Sequence, residues 1–128
     1  MNPDLITRAL EAREKALAPY SGFKVGAAIE TRDGRVYTGC NIENISYGLS
    51  ICAERVALWK ALSDGAREFR EMAIVTAAEI LTSPCGACRQ LLWEYCGDIT
   101  IQLHSTKGLN KLHRLAELFP YPFDSRSL

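Results

Sequence analysis

Apolar residues recur at helical spacing in several stretches of the chain, and these stretches carry helix start and stop signals. An asparagine or serine suited to cap a helix, with proline at the first helical position, opens two of them. Glycine or proline follows the end of each. The pattern therefore predicts helices from Asn2-Pro3 to before Pro19, from Cys52 to Ser63, and from Ser83-Pro84 to Cys96, with a short fourth helix over residues 116–119.

Short runs of β-branched and other apolar residues between the helices predict five strands. Asp33-Gly34 marks a hairpin turn between the first two of them. The order α-β-β-α-β-α-β-β-α predicts an α/β fold, a three-layer α-β-α sandwich with a mixed five-stranded sheet. The length of 128 residues fits one domain over 1–128. The strands are expected over residues 24–31, 35–39, 72–77, 99–103 and 109–115.

The charge balance argues against a protein that binds long nucleic acids. Fifteen Lys and Arg residues match fifteen Asp and Glu residues, whereas a polynucleotide-binding protein usually carries a basic excess. No apolar run approaches the roughly 20 residues of a membrane span, and residues 1–4 do not resemble a secretory signal. We therefore expect a cytoplasmic protein with a small-molecule ligand and with neither a nucleic-acid nor a membrane partner.

The five cysteines give the first indication of chemistry. An odd number of cysteines without a secretory signal favours metal binding or a reactive thiol over a disulfide framework. Cys52 and Cys85 lie at the starts of two predicted helices separated by one strand, so both helix N-termini are expected at one edge of the sheet. Cys88 lies three residues after Cys85, on the same helical face. Three thiols can therefore converge on one point.

Thiolates at helix N-termini are well suited to bind zinc. The free N–H groups and the positive end of the helix dipole lower a cysteine pKa, and sulfur ligands favour tetrahedral zinc. Three protein ligands leave one position for water, as in catalytic sites, whereas a fourth sulfur from Cys40 would make a structural zinc site. The spacing leaves Cys40 open as a ligand, but Cys96 lies roughly 15 Å along the helix from Cys85. A redox Cys-x-x-Cys pair is less favoured, because the thioredoxin-like element order is absent.

Glu54 favours the catalytic interpretation. It follows Cys52 by two residues, so its carboxylate can reach the open position of the metal without being a ligand. There it can take a proton from water and deliver it to a leaving group. By itself, a glutamate at a helix start is more often a carboxylate that the helix dipole favours. Cys-x-Glu followed by Pro-Cys-x-x-Cys matches the zinc-deaminase signature, however, and that match is specific.

Four separated stretches carry a resemblance to a known family. They are residues 20–28 (YSGFKVGAA), 39–44 (GCNIEN), 51–55 (ICAER) and 83–90 (SPCGACRQ). In this order, and over essentially the whole chain, the sequence resembles the small homotetrameric, zinc-dependent cytidine deaminases. The resemblance implies a homotetramer with one zinc ion per subunit.

The resemblance also implies a reaction. It is the hydrolytic deamination of cytidine and deoxycytidine to uridine and deoxyuridine, with release of ammonia, in pyrimidine salvage. In the family, a zinc-bound hydroxide attacks C4 of the cytosine ring while a glutamate shuttles protons. A deaminase of a modified cytosine nucleoside such as blasticidin S is one alternative. A non-enzymatic structural zinc module is the other.

The resemblance assigns roles to individual residues. Cys52, Cys85 and Cys88 match the zinc ligands, and Glu54 matches the proton shuttle. Asn41 and Glu43 match residues that hydrogen-bond ribose, although loop residues of these types most often satisfy nearby backbone groups. The substrate-binding positions implied are Phe23 against the base, Asn41, Glu43, Ala53, and, across subunit interfaces, Tyr47 and Phe123.

Arg55 is expected to support the metal site from outside the ligand set. Zinc with three thiolates carries a net charge of −1, so ionisation of a bound water makes the site more negative. A guanidinium that donates to the sulfurs offsets this charge. We therefore expect Arg55 to hydrogen-bond the ligand sulfurs rather than to serve as a surface charge.

Overall fold

The computed structural model describes residues 2–128, and the elements follow the predicted order. None of the helices in this range combines the length and apolarity needed to cross a membrane. Two short 3₁₀ turns, Tyr47–Leu49 and Ser125–Ser127, add to the predicted elements. The helices are α1 (Pro3–Arg13), α2 (Ala53–Ser63), α3 (Gly86–Cys96) and α4 (Leu115–Leu118), and the strands are β1 (Gly26–Thr31), β2 (Val36–Cys40), β3 (Phe69–Thr76), β4 (Thr100–Ser105) and β5 (Asn110–Arg114).

The five strands form one mixed sheet in the order β2-β1-β3-β4-β5. Strand β1 pairs antiparallel with both β2 and β3, and β5 pairs antiparallel with β4. Strands β3 and β4 are parallel, and α3 makes the crossover between them. Helix α2 follows β2 and helix α3 follows β3 along the chain. Both helices therefore begin at the same edge of the sheet, as the sequence predicts, and their N-termini lie close together.

Helices cover both faces of the sheet, which confirms the three-layer arrangement. On one face, Leu5 and Ala9 of α1 pack against Ala28, Ala73 and Val75 of the central strands. On the opposite face, α2 and α3 pack over the larger core, because side chains along a strand point alternately to the two faces. This larger core includes Ala27, Ile29, Ala57, Leu58, Met72, Ile74, Leu92, Ile101 and Leu103.

Two glycines allow helices to lie directly on the sheet. A Cβ atom on Gly26 would lie 2.0 Å from the carbonyl oxygen of Ala9 in α1. A Cβ atom on Gly39 would lie 2.5 Å from the carbonyl oxygen of Ala53 and 2.6 Å from the amide nitrogen of Ala57, both in α2. Since these neighbours are backbone atoms, neither position has room for a side chain.

The first helix ends earlier than predicted, at Arg13 rather than just before Pro19. Leu17 instead adopts an extended pairing with the segment after β2. Its N–H donates to the carbonyl of Asn41 at 3.0 Å, and its carbonyl accepts from the N–H of Glu43 at 2.8 Å. Residues 14–18 have a helical pattern, but this pairing with a distant segment holds Leu17 in an extended conformation, so the helix does not continue through them.

The predicted start of the third helix at Ser83-Pro84 is also wrong. Cys85 occupies the N-cap position, with extended backbone at φ −66° and ψ 167°, and its sulfur accepts from the N–H of Cys88. The hydroxyl of Ser83 is used elsewhere, as an acceptor for Arg89. A sulfur thus takes the capping role that the sequence pattern assigned to a hydroxyl. The remaining predicted bounds differ from the structure by at most three residues.

Asn2 fixes the start of α1 to the sheet. Its side-chain oxygen caps the helix by accepting from the N–H of Asp4 at 3.0 Å. Its Nδ2 donates to Glu30 at 2.8 Å, and its backbone N–H donates to Glu71 at 3.0 Å. Glu30 and Glu71 are buried and face each other on neighbouring strands, so Asn2 satisfies two carboxylates that have little access to water.

We expect Asn2→Ala to lower the free energy of unfolding by about 1–2 kcal/mol, since it removes a helix cap and a donor to a buried carboxylate. Asn2→Ser keeps the cap alone and is expected to lose less. Urea unfolding of the zinc-loaded proteins measures both changes. Equal stability of wild type and both variants would contradict the assigned role of Asn2.

Candidate metal centre and its cleft

Three cysteine sulfurs meet where α2 and α3 begin. Cys52 and Cys85 are the N-cap residues of α2 and α3, and Cys88 lies one turn inside α3. Their Sγ atoms all lie within 4.8 Å of one another. The Sγ atoms of Cys52 and Cys85 are 3.9 Å apart, and tetrahedral zinc with bonds of roughly 2.3 Å needs its sulfurs about 3.8 Å apart. The donor set and its spacing therefore fit zinc.

The other two cysteines do not complete a four-sulfur site. Within residues 2–128, the trio is the one group of potential ligands that converges closely enough to hold a metal. Cys40 lies at the end of β2 beside Arg8 and Lys60, in a different surface recess. Cys96 lies at the far end of α3, where burial raises the pKa of its thiol to about 12. Three protein ligands are typical of a catalytic zinc site and not of a structural one.

Hydrogen bonds around the trio stabilise negative charge on sulfur. A hydrogen bond from Cys88 and another from Arg55, whose Nη2 lies 3.3 Å from the sulfur, lower the pKa of Cys52 to about 5 against the effect of burial. The same contact with Cys52, together with burial, raises the pKa of Cys88. Metal binding requires deprotonated thiols, so zinc binding is coupled to proton release at this site.

The guanidinium of Arg55 donates a hydrogen bond to the sulfur of Cys52. Besides the bond to Cys52, its guanidinium has a buried Nε–H without a hydrogen-bond partner among residues 2–128. The thiolate of Cys52 in turn raises the pKa of Arg55. The charge on Arg55 is therefore permanent and lies against the cluster.

Glu54 is a buried carboxyl group beside the cluster but outside the ligand group. Only 6% of the residue is exposed, and burial raises its pKa to about 7. A carboxyl group with this pKa exists in both protonation states near neutral pH, so it can accept a proton and return it. Glu54 lies in the first turn of α2, two residues after Cys52, which occupies the N-cap position.

A cleft of about 460 Å³ opens onto the cluster and Glu54. This volume is typical of sites for small molecules. The cleft brings together most of the residues that the sequence analysis placed at the substrate. Its lining includes Phe23, Asn41, Glu43, Tyr47 and Ala53, together with Cys52, Glu54, Arg55 and Cys85.

Asn41 and Glu43 line the cleft and also organise the loop that forms its wall. The Asn41 side chain accepts from the N–H of Val25 and donates to the carbonyl of Phe23, each at 2.8 Å. The Glu43 carboxylate accepts from the N–H groups of Tyr20 and Ser21 and from the Ser21 hydroxyl, and the latter bond lowers the pKa of Glu43. An amide keeps a second N–H and a carboxylate keeps free lone pairs, so both retain capacity for a ligand.

Phe123 lies outside the cleft of its own chain. It is 62% exposed, and its carbonyl accepts from Gln90 of α3 at 2.8 Å. The next residue, Asp124, accepts from the indole N–H of Trp93 at 2.9 Å. The C-terminal segment is therefore held on α3 with its aromatic side chain directed away from the core, which leaves it accessible to another chain.

The sequence of the metal centre and its scaffold matches a known family. The family model described as the cytidine and deoxycytidylate deaminase zinc-binding region matches residues 2–102. The chain belongs to the cytidine and deoxycytidylate deaminase family. The fold and the three-sulfur site of this deaminase family member agree with that assignment, and its cofactor is zinc.

Relatives of this deaminase family member share most of its length. A cytidine deaminase from Sporosarcina psychrophila is 46% identical over 125 residues, which are 97% of this chain and 92% of the relative. The crystal structure of a cytidine deaminase from Burkholderia pseudomallei superposes with a TM-score of 0.91 at 46% identity, covering 96% of this chain and 100% of that one. A blasticidin-S deaminase from Bacillus cereus is 31% identical, covering 88% of this chain and 86% of the relative.

Sequence reasoning missed two residues that hold the site in place. Ser21 positions the carboxylate of Glu43, and Arg89 contacts the turn that leads into Cys85. Ser21 belongs to a stretch that carried the family resemblance, but its partner lies 22 positions away. Arg89 directly follows Cys88, yet nothing in the local pattern indicates where its side chain binds.

Proposed function

We propose that this protein deaminates cytidine and deoxycytidine hydrolytically, giving uridine and deoxyuridine and releasing ammonia. The observation that carries the proposal is the buried Glu54 beside a three-sulfur zinc site in a cleft of nucleoside-compatible size. The relatives named as cytidine deaminases support the choice of substrate.

The proposed mechanism gives Glu54 every proton transfer. Bound zinc lowers the pKa of a coordinated water and so supplies a nucleophile near neutral pH. The Glu54 carboxylate accepts a proton and delivers it to N3 of the cytosine ring as C4 is attacked. The same carboxylate then takes the remaining proton from the attacking oxygen and passes it to the amino group at C4, so that the C4–N bond breaks, ammonia leaves and C4 becomes a carbonyl carbon. Its pKa of about 7 suits both directions of transfer.

The proposed substrate contacts use the walls of the cleft. Phe23 packs against the base, and the backbone of Ala53 lies beside it at the start of α2. Asn41 and Glu43 offer a donor and acceptors to the ribose hydroxyls, from side chains already fixed by bonds to the main chain. A polar group held in place in this way loses little entropy when it binds a ligand.

Substrate assays test the proposal directly. Addition of cytidine or deoxycytidine should change the ultraviolet spectrum and release one equivalent of ammonia. The relative that deaminates blasticidin S makes a modified cytosine nucleoside the second candidate, and it is assayed in parallel. Turnover of blasticidin S without turnover of cytidine would overturn the first assignment, as would a zinc-loaded protein inactive on all three compounds.

We expect Arg55→Gln to release zinc about 10- to 100-fold faster than wild type, since contacts outside the ligand set tune metal affinity by this amount. The variant loses the guanidinium, and with it the positive charge that lies against the Cys52 sulfur. Transfer of zinc to a colorimetric chelator measures the rate. Arg55→Lys keeps the charge and is expected to be intermediate. Release and turnover unchanged in both variants would refute the role of Arg55.

We also propose a homotetramer in the cytoplasm, with Tyr47 and Phe123 contributing to neighbouring cleft mouths. Tyr47 is 73% exposed at the cleft, its ring centroid lies 6.1 Å from that of the exposed Tyr20, and its sequence neighbours Ile45 and Leu49 are exposed as well. Contiguous exposed apolar surface of this kind is typical of an interface. None of the five cysteines forms a disulfide among residues 2–128, which suits a reducing compartment. Native mass spectrometry should give four times the 14.2 kDa mass of one chain.

Phe123→Ala is expected to raise the KM for cytidine about tenfold, which corresponds to the loss of one buried aromatic contact. Tyr121→Ala is the matched control, because Tyr121 lies in the same tail and is fully exposed. Steady-state kinetics measure both. A fully active monomer, or equal KM values for the two variants, would argue against an inter-subunit role of Phe123.

A further inference from the structure

Arg89 binds the chain on both sides of the metal-binding residue Cys85. Its Nε donates to the carbonyl of Pro84 at 2.8 Å, and its backbone N–H donates to the carbonyl of Cys85 at 2.9 Å. Its Nη2 donates to the Ser83 hydroxyl at 2.8 Å, and its Nη1 donates to the carbonyl of Leu118. Its side chain thus connects the turn before α3 to the end of α4, while its backbone N–H makes the helical bond to Cys85.

These bonds restrict the backbone that carries the Cys85 sulfur. The peptide group between Pro84 and Cys85 is planar, so a bond to the Pro84 carbonyl also fixes the orientation of the Cys85 N–H. The ring of Pro84 holds its own φ angle, and Pro84 is buried. With the Cys85 carbonyl also bonded, both peptide groups that flank the ligand are held by the same residue.

The guanidinium of Arg89 lies close to the N-terminus of α3. Arg89 lies in the first half of α3, and its side chain turns back toward the N-terminus, where the helix dipole disfavours a positive charge. Its three side-chain bonds, all to oxygens, offset this cost. Lysine cannot replace this arrangement, because a single ammonium group lacks the planar fork that reaches three acceptors at once.

We propose that Arg89 is a positioning residue for the metal centre, which holds Cys85 in its ligating geometry and couples it to the C-terminal segment at Leu118. The inference rests on the proposed ligand set of Cys52, Cys85 and Cys88. It predicts that removal of the guanidinium speeds release of the metal, although no ligand atom is changed. It also predicts that the absorption spectrum of bound cobalt changes.

The test compares the zinc-loaded wild type with Arg89→Gln, Arg89→Lys and a matched control, Arg67→Gln. Arg67 also uses its guanidinium to bind two backbone carbonyls, those of Leu62 and Ala66, but at the opposite end of α2 from the metal. Zinc transfer to a chelator gives the release rate, and thermal unfolding gives the stability. Cobalt substitution adds a spectroscopic readout, since sulfur-to-cobalt charge-transfer bands report the geometry of the thiolates.

We expect Arg89→Gln to release zinc about 10- to 100-fold faster than wild type and to shift the cobalt bands. The zinc release rate of Arg89→Lys should lie between those of wild type and Arg89→Gln. Arg67→Gln should keep the wild-type release rate and cobalt spectrum, even if its unfolding temperature falls. If Arg89→Gln does not fold, the release rate and cobalt spectrum of Arg89→Lys decide the question.

A folded Arg89 variant with the wild-type release rate and cobalt spectrum would overturn this inference and leave the proposed function unaffected. Equal acceleration in Arg89→Gln and Arg67→Gln would overturn it as well, because general destabilisation would then explain the effect. Zinc content and cytidine turnover of the wild type are measured on the same preparations. A wild type that retains no zinc would instead overturn the proposed ligand set and, with it, this inference.

Discussion

Glu54→Gln is expected to keep its zinc and to lose nearly all turnover of cytidine. Glutamine preserves the size and burial of the side chain, but it can neither accept nor return a proton. General acid–base catalysis contributes about 10²–10⁴-fold, and one carboxyl group carries out each proton transfer here. We therefore expect kcat to fall at least about 10³-fold, with little change in zinc content measured by mass spectrometry of the native protein.

The control for this variant is Glu94→Gln, which makes the same chemical change on the exposed side of α3. It is expected to retain wild-type kcat and KM. Glu54→Gln protein that is fully loaded with zinc and retains more than about a tenth of wild-type turnover would show that another group moves the protons. Loss of zinc along with activity would instead assign Glu54 to the metal ligands.

Gly39→Ala is expected to have the largest effect on stability. The added Cβ would lie 2.5 Å from the Ala53 carbonyl oxygen and 2.6 Å from the Ala57 amide nitrogen, so α2 would have to move away from β2. Overpacking of a core typically costs 1–3 kcal/mol, and rigid backbone neighbours place this site at or above about 3 kcal/mol. Because the zinc ligand Cys52 directly precedes α2, we also expect weaker zinc retention.

Gly48→Ala is the matched control, since a Cβ atom there would have no heavy atom within 4 Å. Its free energy of unfolding should change by less than about 0.5 kcal/mol. Urea unfolding at saturating zinc measures both variants. A Gly39→Ala protein that loses less than about 1 kcal/mol would mean that α2 can shift more freely than its contacts with the sheet indicate.

The metal centre was predictable because its signal is local. Cys52 and Glu54 lie two positions apart at the start of α2, and Cys85 and Cys88 lie three apart at the start of α3, so the chain itself keeps the members of each pair close together. The element order then brings the two helix starts together. The strands were predictable for a similar reason, since the two buried faces of the sheet demand apolar residues in short runs.

The parts that sequence reasoning missed depend on contacts between distant segments. The first helix stops at Arg13 because Leu17 pairs with Asn41 and Glu43, and no pattern within residues 14–18 indicates this. Serine is a common N-cap residue, but the hydroxyl of Ser83 accepts a hydrogen bond from Arg89 instead, and Cys85 is the N-cap residue of α3. The bond from Arg89 to Leu118 spans 29 positions. Such contacts follow from the assembled fold and carry no periodic signal.

Because two of the ligands lie at the starts of separate helices, the stability of the folded protein also depends on bound zinc. Cys52 and Cys85 are 33 positions apart, so an ion held by both closes a loop that contains all of α2 and β3. Like a disulfide, such a cross-link reduces the freedom of the unfolded chain and makes the native state more favourable. A cell short of zinc would therefore lose resistance to heat and proteolysis in this protein as well as its chemistry.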